Sequence, residues 1–409
     1  MTVKRVKPEL LSPAGDRERL EAAVAYGADA VYLAGKSFGM RSAPANFGEE
    51  ELRDAVAYCH ARGVKVYVTC NTLPRNDEFE ELPGFLSTCQ EIGVDAFIIS
   101  DLGVLALAKQ VAPQVERHVS TQTGIVNFAA AQVCWELGAK RVVLAREVPL
   151  SEIRGIRERV DPQLELEAFV HGAMCMSFSG RCVISNYMTG RDANRGECAQ
   201  PCRWEYHLME TQRPGEVYTL VQEEKGAYFF NSNDLRMIDH IPEMIDAGVA
   251  SLKIEGRAKS AYYVACITAA YRQAVDFAWE HPGEPLPEAI LRETEKISPG
   301  PYSHGFYFGG EPGQTVDRSH YARGYELVAI CQGREGKCLC LTQRNRFFQG
   351  QEVDILQPGK PSFTATLDRL YNQDREPLSV APHAEMIVYW ETGADVPAGA
   401  YLRVKKSQN

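Results

Sequence analysis

Four cysteines fall within 28 residues of this 409-residue chain: Cys175, Cys182, Cys198 and Cys202, spaced C-x6-C-x15-C-x3-C. The other eight, Cys59, Cys70, Cys89, Cys134, Cys266, Cys331, Cys338 and Cys340, are scattered, mostly in apolar runs where a thiol serves as a small buried hydrophobe. Three chemistries suit the cluster. Disulfides need an oxidising compartment, and the polar, basic stretch Met1–Lys7 with no apolar run after it does not read as a secretory leader. Structural zinc uses tight cysteine pairs, a form that only Cys198 and Cys202 take. An iron–sulfur cluster accepts thiolates from one wide loop and one short hook. Gly172, Gly180, Gly190 and Gly196 would let the backbone turn closely past an inorganic core, and Pro201 would stiffen the last ligand. Arg181, Arg191, Arg195 and Arg203 would offset the charge of four thiolates, although each alone reads more readily as solvated loop surface.

The elements that must hold this loop repeat along the chain. A glycine closes a helical stretch and a short apolar run follows at Gly27–Leu33, Gly63–Val68, Gly93–Ile99, Gly138–Leu144 and Gly248–Ile254. Glu9–Leu11, His118–Ser120 and Leu164–Val170 supply three more runs, and the last feeds directly into the cysteines. Eight alternating β and α units over about 270 residues predict an α/β fold, a (β/α)8 TIM-like barrel. The competing open, doubly wound sheet lacks its glycine-rich loop, since Pro13–Ala14–Gly15 follows the first strand.

Barrel active sites lie at the C-terminal ends of the strands. The polar residues there are Ser12, Arg41, Asn46, Asn71, Ser100, Asp101, Ser120, Gln122, Arg146, Glu147, His171, Lys253, Glu255 and Arg257, with Ser12 and Asp101 also readable as helix caps. Residues 1–280 thus form the barrel, carrying the cysteine loop over 167–203 and a β-hairpin insertion over 204–230. Asn231–Asp234 is expected to cap a helix, and Ser260–Trp279 forms a long one whose tyrosines pack. A polar connector spans 281–321. Six short strands over 322–409 predict a small C-terminal β-barrel, with Arg344, Arg346, Phe347, Phe348, Arg403, Lys405 and Lys406 as basic and aromatic points that suit either RNA contact or plain solvation.

Hydrophobic residues make up 45% and charged ones 24%, an ordinary soluble composition, and no run of about 18 apolar residues suggests a membrane span. The net charge of −10 argues against a generally basic RNA-coating protein and leaves room for a local basic patch. Reduced thiols without a leader place the expectation in the cytoplasm.

The residues Glu167, Phe169, His171–Gly172, Met174–Cys175, Ser179–Gly180, Cys182 and Ser185 resemble the signature of the collagenase-like peptidase family. The resemblance continues at Asn194–Gly196, Cys198, Gln200–Arg203, Asn231–Ser232, Asp234–Leu235 and Ser251–Arg257, and covers most of the chain from Leu10–Gly15 onward. It points to the branch of prephenate-dependent tRNA uridine hydroxylases. What it implies is oxygen-independent hydroxylation of the wobble uridine to 5-hydroxyuridine, with prephenate as oxygen donor and a 4Fe-4S cluster on Cys175, Cys182, Cys198 and Cys202. Sister branches hydroxylate a ribosomal RNA cytidine or a quinone precursor. In some relatives one cluster cysteine lies further on, where this chain has Arg236.

Prephenate carries two carboxylates, so Arg41, Arg146, Lys253 and Arg257 are the candidate grips. His171 could move a proton or merely satisfy backbone groups, and Glu255 could be a base or an ion-pair partner. The partners implied are tRNA and the dicarboxylate, with room for a helper subunit. Two other functions compete. A peptidase has little support: no H-E-x-x-H occurs, the G-x-S-x-G at Gly35–Gly39 precedes a polar loop with Pro44, and a thiolate committed to metal is not free to attack a peptide alongside His171 and Glu167. A zinc-stabilised scaffold that binds RNA or a partner protein is the non-catalytic alternative.

Overall fold

The computed structural model describes residues 5–36, 38, 46–175, 177–204, 208–209, 217–218, 232–297, 302–310 and 324–406. Seven parallel strands come first: β1 (Glu9–Pro13), β2 (Ala30–Leu33), β3 (Lys65–Cys70), β4 (Ala96–Ile99), β5 (Glu116–Val119), β6 (Arg141–Val143) and β7 (Glu165–Gly172). A two-strand antiparallel ladder, β8 (Leu208–Met209) with β9 (Val217–Tyr218), and the short β10 (Asp234–Arg236) precede β11 (Ser251–Ile254). β11 pairs in parallel with both β7 and β1, so the eight strands close into the ring that the alternation predicted.

Helices α1 (Arg17–Ala25), α2 (Glu49–His60), α3 (Asn76–Phe79), α4 (Leu82–Ile92), α5 (Leu102–Val111), α6 (Phe128–Glu136) and α7 (Leu150–Arg157) alternate with the strands. After α8 (Ile184–Thr189) in the cysteine loop come α9 (Ile241–Asp246), the long α10 (Ala261–Glu280) and α11 (Glu288–Glu293). The helices start where side chains satisfy exposed amides: Asp16, Asp101 and Ser260 accept from the backbone N–H of Arg19, Val104 and Tyr263. Their inner stripes then face the ring; α2 buries Leu52, Ala55, Val56 and Cys59, each large apolar side chain worth about 1.5–3 kcal/mol. A smaller apolar layer of Leu11, Ala30, Tyr32, Tyr67, Ala96 and Ile98 fills part of the ring's interior.

Several expectations need correction. Asp234 opens a strand rather than capping a helix: β10 runs antiparallel to β7, and β12 (Tyr302–Ser303) joins it, so part of the expected connector extends the barrel sheet. Ser12 caps nothing; its hydroxyl is buried 2.9 Å from that of Thr268 on α10. Most of the expected β insertion over 204–230 lies outside the described residues.

The C-terminal module contains β13 (Tyr325–Glu335), β14 (Cys338–Gln343), β15 (Phe347–Phe348), β16 (Glu352–Gln357), β17 (Lys360–Thr366), β18 (Leu370–Tyr371), β19 (Val380–Ala381), β20 (Ile387–Glu391) and β21 (Tyr401–Lys405). Seven of them form one antiparallel sheet in the order β17-β16-β21-β13-β14-β20-β18, and β15 pairs with β19. Together they enclose a shared core and form the small C-terminal β module that the run of short strands predicted.

This module is locked to the barrel. Tyr26 Oη donates to the carbonyls of Leu356 and Gly399, at 3.1 and 3.0 Å. Arg403, expected on the surface, is fully buried; it binds Asp354 at 2.9 Å, Glu293 of α11 and the Cys266 sulfur of α10 at 3.0 Å. Burial pushes the Cys266 thiol up to about 12. Burial would also raise the Glu293 carboxyl, but Arg403 and Lys296 outweigh it and hold it below the usual range.

Candidate active site at the barrel mouth

The inside of the ring carries charge as well as hydrocarbon. Glu167 on β7 is wholly buried and accepts from Arg141 Nη1 at 3.1 Å and Lys253 Nζ at 2.9 Å. Arg141 also grips Glu9 at 2.7 Å and Glu165 at 2.7 Å, and Tyr67 Oη donates to Glu9 at 2.6 Å. Burial alone would raise the Glu167 carboxyl, but Lys253 and Arg141 hold it below its ordinary range. The strands thus bring Glu167 together with Glu9 and Arg141, which read in sequence only as members of short runs.

Above this network lies a cavity of about 180 Å³. Cys175, Cys182, Cys198 and Cys202 line it, together with Arg146, Lys253, Glu255 and Arg257. Asn71, Ser120 and Gln122 contribute further strand-end groups. None of the twelve cysteines is in a disulfide. Among the described residues no three His, Cys, Asp or Glu side chains converge on one point as donors to a single ion. All four thiols belong to the lining of this one cavity.

Among the described residues, Arg146, Lys253 and Arg257 face this space together with the carboxylate of Glu255. Arg146 reaches Glu255 at 3.3 Å and the Cys175 sulfur at 3.7 Å, and stacks over Phe169 at 4.0 Å. Lys253 sits 4.7 Å from the Tyr32 ring centre and 5.4 Å from that of Phe169. Arg257 donates to Thr69 Oγ1 at 3.2 Å. Phe169 therefore fixes two cations through its ring face, a role its place in an apolar run concealed. Glu255 pairs with Arg146 in addition to lying between Lys253 and Arg257. Arg41 lies outside the described residues.

Two devices hold the cysteine loop over the mouth. Glu147, at the end of β6, accepts from the Ser179 amide and the Ser179 hydroxyl, both at 2.9 Å. Next to Ser179, Gly180 has φ +73°, and a Cβ there would lie 1.9 Å from the Gln122 carbonyl oxygen, so only glycine allows this approach to the end of β5. Arg195 pairs with Glu78 at 2.7 Å, and Arg236 is held by Asp239, Thr294 and the Leu291 carbonyl, away from the cavity lining.

His171 is the main correction. Glu167 and Phe169 face the ring interior in step with Ser251 and Lys253, but His171 pairs with Ile254, leaving Val170 as an extra residue on β7. That bulge re-aims the imidazole outward. Its Nδ1 lies 3.3 Å from Tyr271 Oη, among the rings of Tyr263, Tyr271 and Tyr302. Burial pushes its pKa down to about 3, so it is neutral and remote from the sulfurs. The Val170 carbonyl displaced by the bulge accepts from Tyr271 Oη at 2.7 Å. A Cys175–His171 nucleophile pair is therefore not assembled. Asp101, for its part, caps α5 and does not line the cavity.

A closed parallel barrel, with a cysteine-bearing loop drawn across the C-terminal ends of its strands and an antiparallel module locked to its side, defines the class of protein. The chain belongs to Peptidase family U32: residues 15–317 match that family and residues 323–403 match its C-terminal domain. It is 39% identical over 406 residues to tRNA hydroxylation protein P1 of Bacillus subtilis, covering 98% of this chain and 95% of the relative. Identity to tRNA hydroxylation protein P of Escherichia coli is 35% over 422 residues, covering 92% of each chain. A 23S rRNA 5-hydroxycytidine synthase of Escherichia coli is 41% identical over 295 residues, which are 72% of this chain and 43% of that one. No helix among the described residues is long and apolar enough to cross a membrane.

Proposed function

We propose that this chain is an RNA-modifying hydroxylase of the cytoplasm that converts the wobble uridine of tRNA to 5-hydroxyuridine, using prephenate as oxygen donor and an iron–sulfur cluster. The observation that carries this reading is the sharing of one cavity by four thiols and the cations Arg146, Lys253 and Arg257. The names of the full-length relatives support RNA hydroxylation, and the motif resemblance supports the uridine and the donor.

The donor set fits a multi-iron cluster. Zinc needs its ligands about 2.1–2.3 Å from one point, whereas a cluster presents its irons to thiolates on separate sides. Four thiols in the lining of a single cavity are compatible with the second case. When bound, such a cluster would supply a Lewis acid or an electron relay.

The chain's own residues do the rest. Arg146 and Arg257 offer guanidinium forks to carboxylates, and Lys253 adds a point charge at the cavity floor. Glu255, ion-paired to Arg146, is the carboxylate placed to accept a proton there. The Glu147–Ser179 anchor keeps the loop over the mouth and so limits water. Nucleoside mass spectrometry of tRNA from a strain lacking this gene and its paralogues tests the proposal. The expected result is loss of 5-hydroxyuridine and its derivatives, restored by the wild-type gene; an unchanged nucleoside profile sinks it.

A further inference from the structure

The outer side of the cysteine loop is unusually apolar for exposed surface. Tyr187 of α8 is 87% exposed, and Val183, one helical turn earlier on the same face, is 69% exposed. Phe178, Met188 and Trp204 are also exposed within the same segment. Single exposed apolar residues are ordinary; a concentration like this beside a cavity marks a contact surface. Phe178 connects the two, since it lines the cavity and is itself exposed, and Cys182 and Ile184 line the cavity on either side of the outward-facing Val183.

Charge selects the occupant. Residues 175–204 contain four arginines against Asp192 and Glu197 in a chain of net −10, and one of the four, Arg195, is already paired with Glu78. Arg181 and Arg191 are exposed, whereas Asp192 is engaged in accepting from the Asn194 amide. Aromatic faces interleaved with arginine suit a polyanion whose subunits also stack. A base that enters the cavity must leave its stack, and its neighbours then need new faces to rest on.

We propose that this outer face, Phe178, Val183, Tyr187 and Trp204 with Arg181 and Arg191, is the landing for the single-stranded RNA nucleotides that flank the base entering the cavity. This rests on the RNA reading above and adds the surface that selects unpaired RNA. The test is fluorescence anisotropy on the full chain with an RNA hairpin carrying uridine in its loop, against a fully paired duplex of similar length. Tyr187→Ala should weaken hairpin binding about five- to tenfold and leave duplex binding unchanged, and Tyr187→Trp should restore it. Arg181→Ala with Arg191→Ala should weaken binding and flatten its salt dependence, by about 0.7 in the log–log slope for each phosphate no longer neutralised. Melting temperature and iron content identify any variant that misfolds. Hairpin affinity within about twofold of wild type in every folded variant overturns the proposal and leaves the RNA reading standing. Self-association of the wild type that Tyr187→Ala abolishes overturns it in favour of a second copy on this face. A wild-type protein that binds neither the hairpin nor bulk tRNA removes the RNA reading as well.

Discussion

Lys253 Nζ lies 2.9 Å from Glu167 Oε1, and the carboxylate has no exposure to solvent. The same carboxylate takes Arg141 through its other oxygen, at 3.1 Å. Burying an ammonium at the floor of the cavity is costly unless an anion goes with it. The fixed carboxylate beneath supplies that anion and leaves the upper side of the ammonium to an anionic ligand.

Removing that anion should therefore cost more than one hydrogen bond. Glu167→Gln takes from buried Lys253 its carboxylate partner and is expected to lower stability by about 3–5 kcal/mol in urea denaturation. Lys253→Met in the same background should return part of the loss, because Arg141 keeps Glu9 and Glu165. Absence of any recovery would show that the two residues are not energetically coupled.

The cofactor assignment is checked by composition. Protein purified without oxygen is expected to be brown, with iron and sulfide bound, and Cys198→Ala should lose both along with the visible absorbance. Cys59→Ala, altering a buried thiol of α2, should retain them. A colourless wild type containing one zinc would favour the scaffold reading instead.

The loop anchor can be tested apart from the ligands. Glu147→Ala removes the acceptor for both the Ser179 amide and the Ser179 hydroxyl. We expect a lower iron content and faster proteolysis within the cysteine loop, with the melting temperature of the barrel changed little. Iron content and loop cleavage equal to wild type would show that Gly180 packing alone holds the loop.

The outward histidine predicts an acid-side effect. His171 has an ordinary pKa of 6.5 and a folded value of about 3. Below pH 6.5 the unfolded chain takes up a proton here that the fold refuses, so this residue withdraws stability as pH falls from about 6.5 to about 3, at up to about 1.4 kcal/mol per pH unit. Above that window it has no effect. His171→Phe keeps a ring among the tyrosines and removes the uptake, so stability should fall less steeply with acid than in wild type. Equal slopes would place the imidazole in contact with water.

The ring of strands was legible because glycine punctuation and apolar runs recur along the chain, and Lys253, Glu255 and Arg257 were legible as mouth residues because they alternate at the end of one run. His171 was misread for the opposite reason. Counting from Glu167 and Phe169 puts it on the inner face, and a bulge at Val170 leaves no mark in the alternation. Arg141 and Glu9 are separated by more than a hundred residues, and only closure of the ring brings their charges together. Arg403 looked like surface because an arginine normally is; its partners Cys266 and Glu293 come from helices far back in the chain.

That last residue limits how the chain can be divided. The guanidinium of Arg403 is neutralised from both sides of the seam, by Asp354 within the sheet and by Glu293 on the barrel side. A fragment ending before the sheet would leave Glu293 with Lys296 but without Arg403, on freshly bared hydrocarbon, and the sheet alone would lose one of the two counter-anions of Arg403. Cutting the chain at this seam is therefore expected to leave each piece less stable than it is within the intact protein.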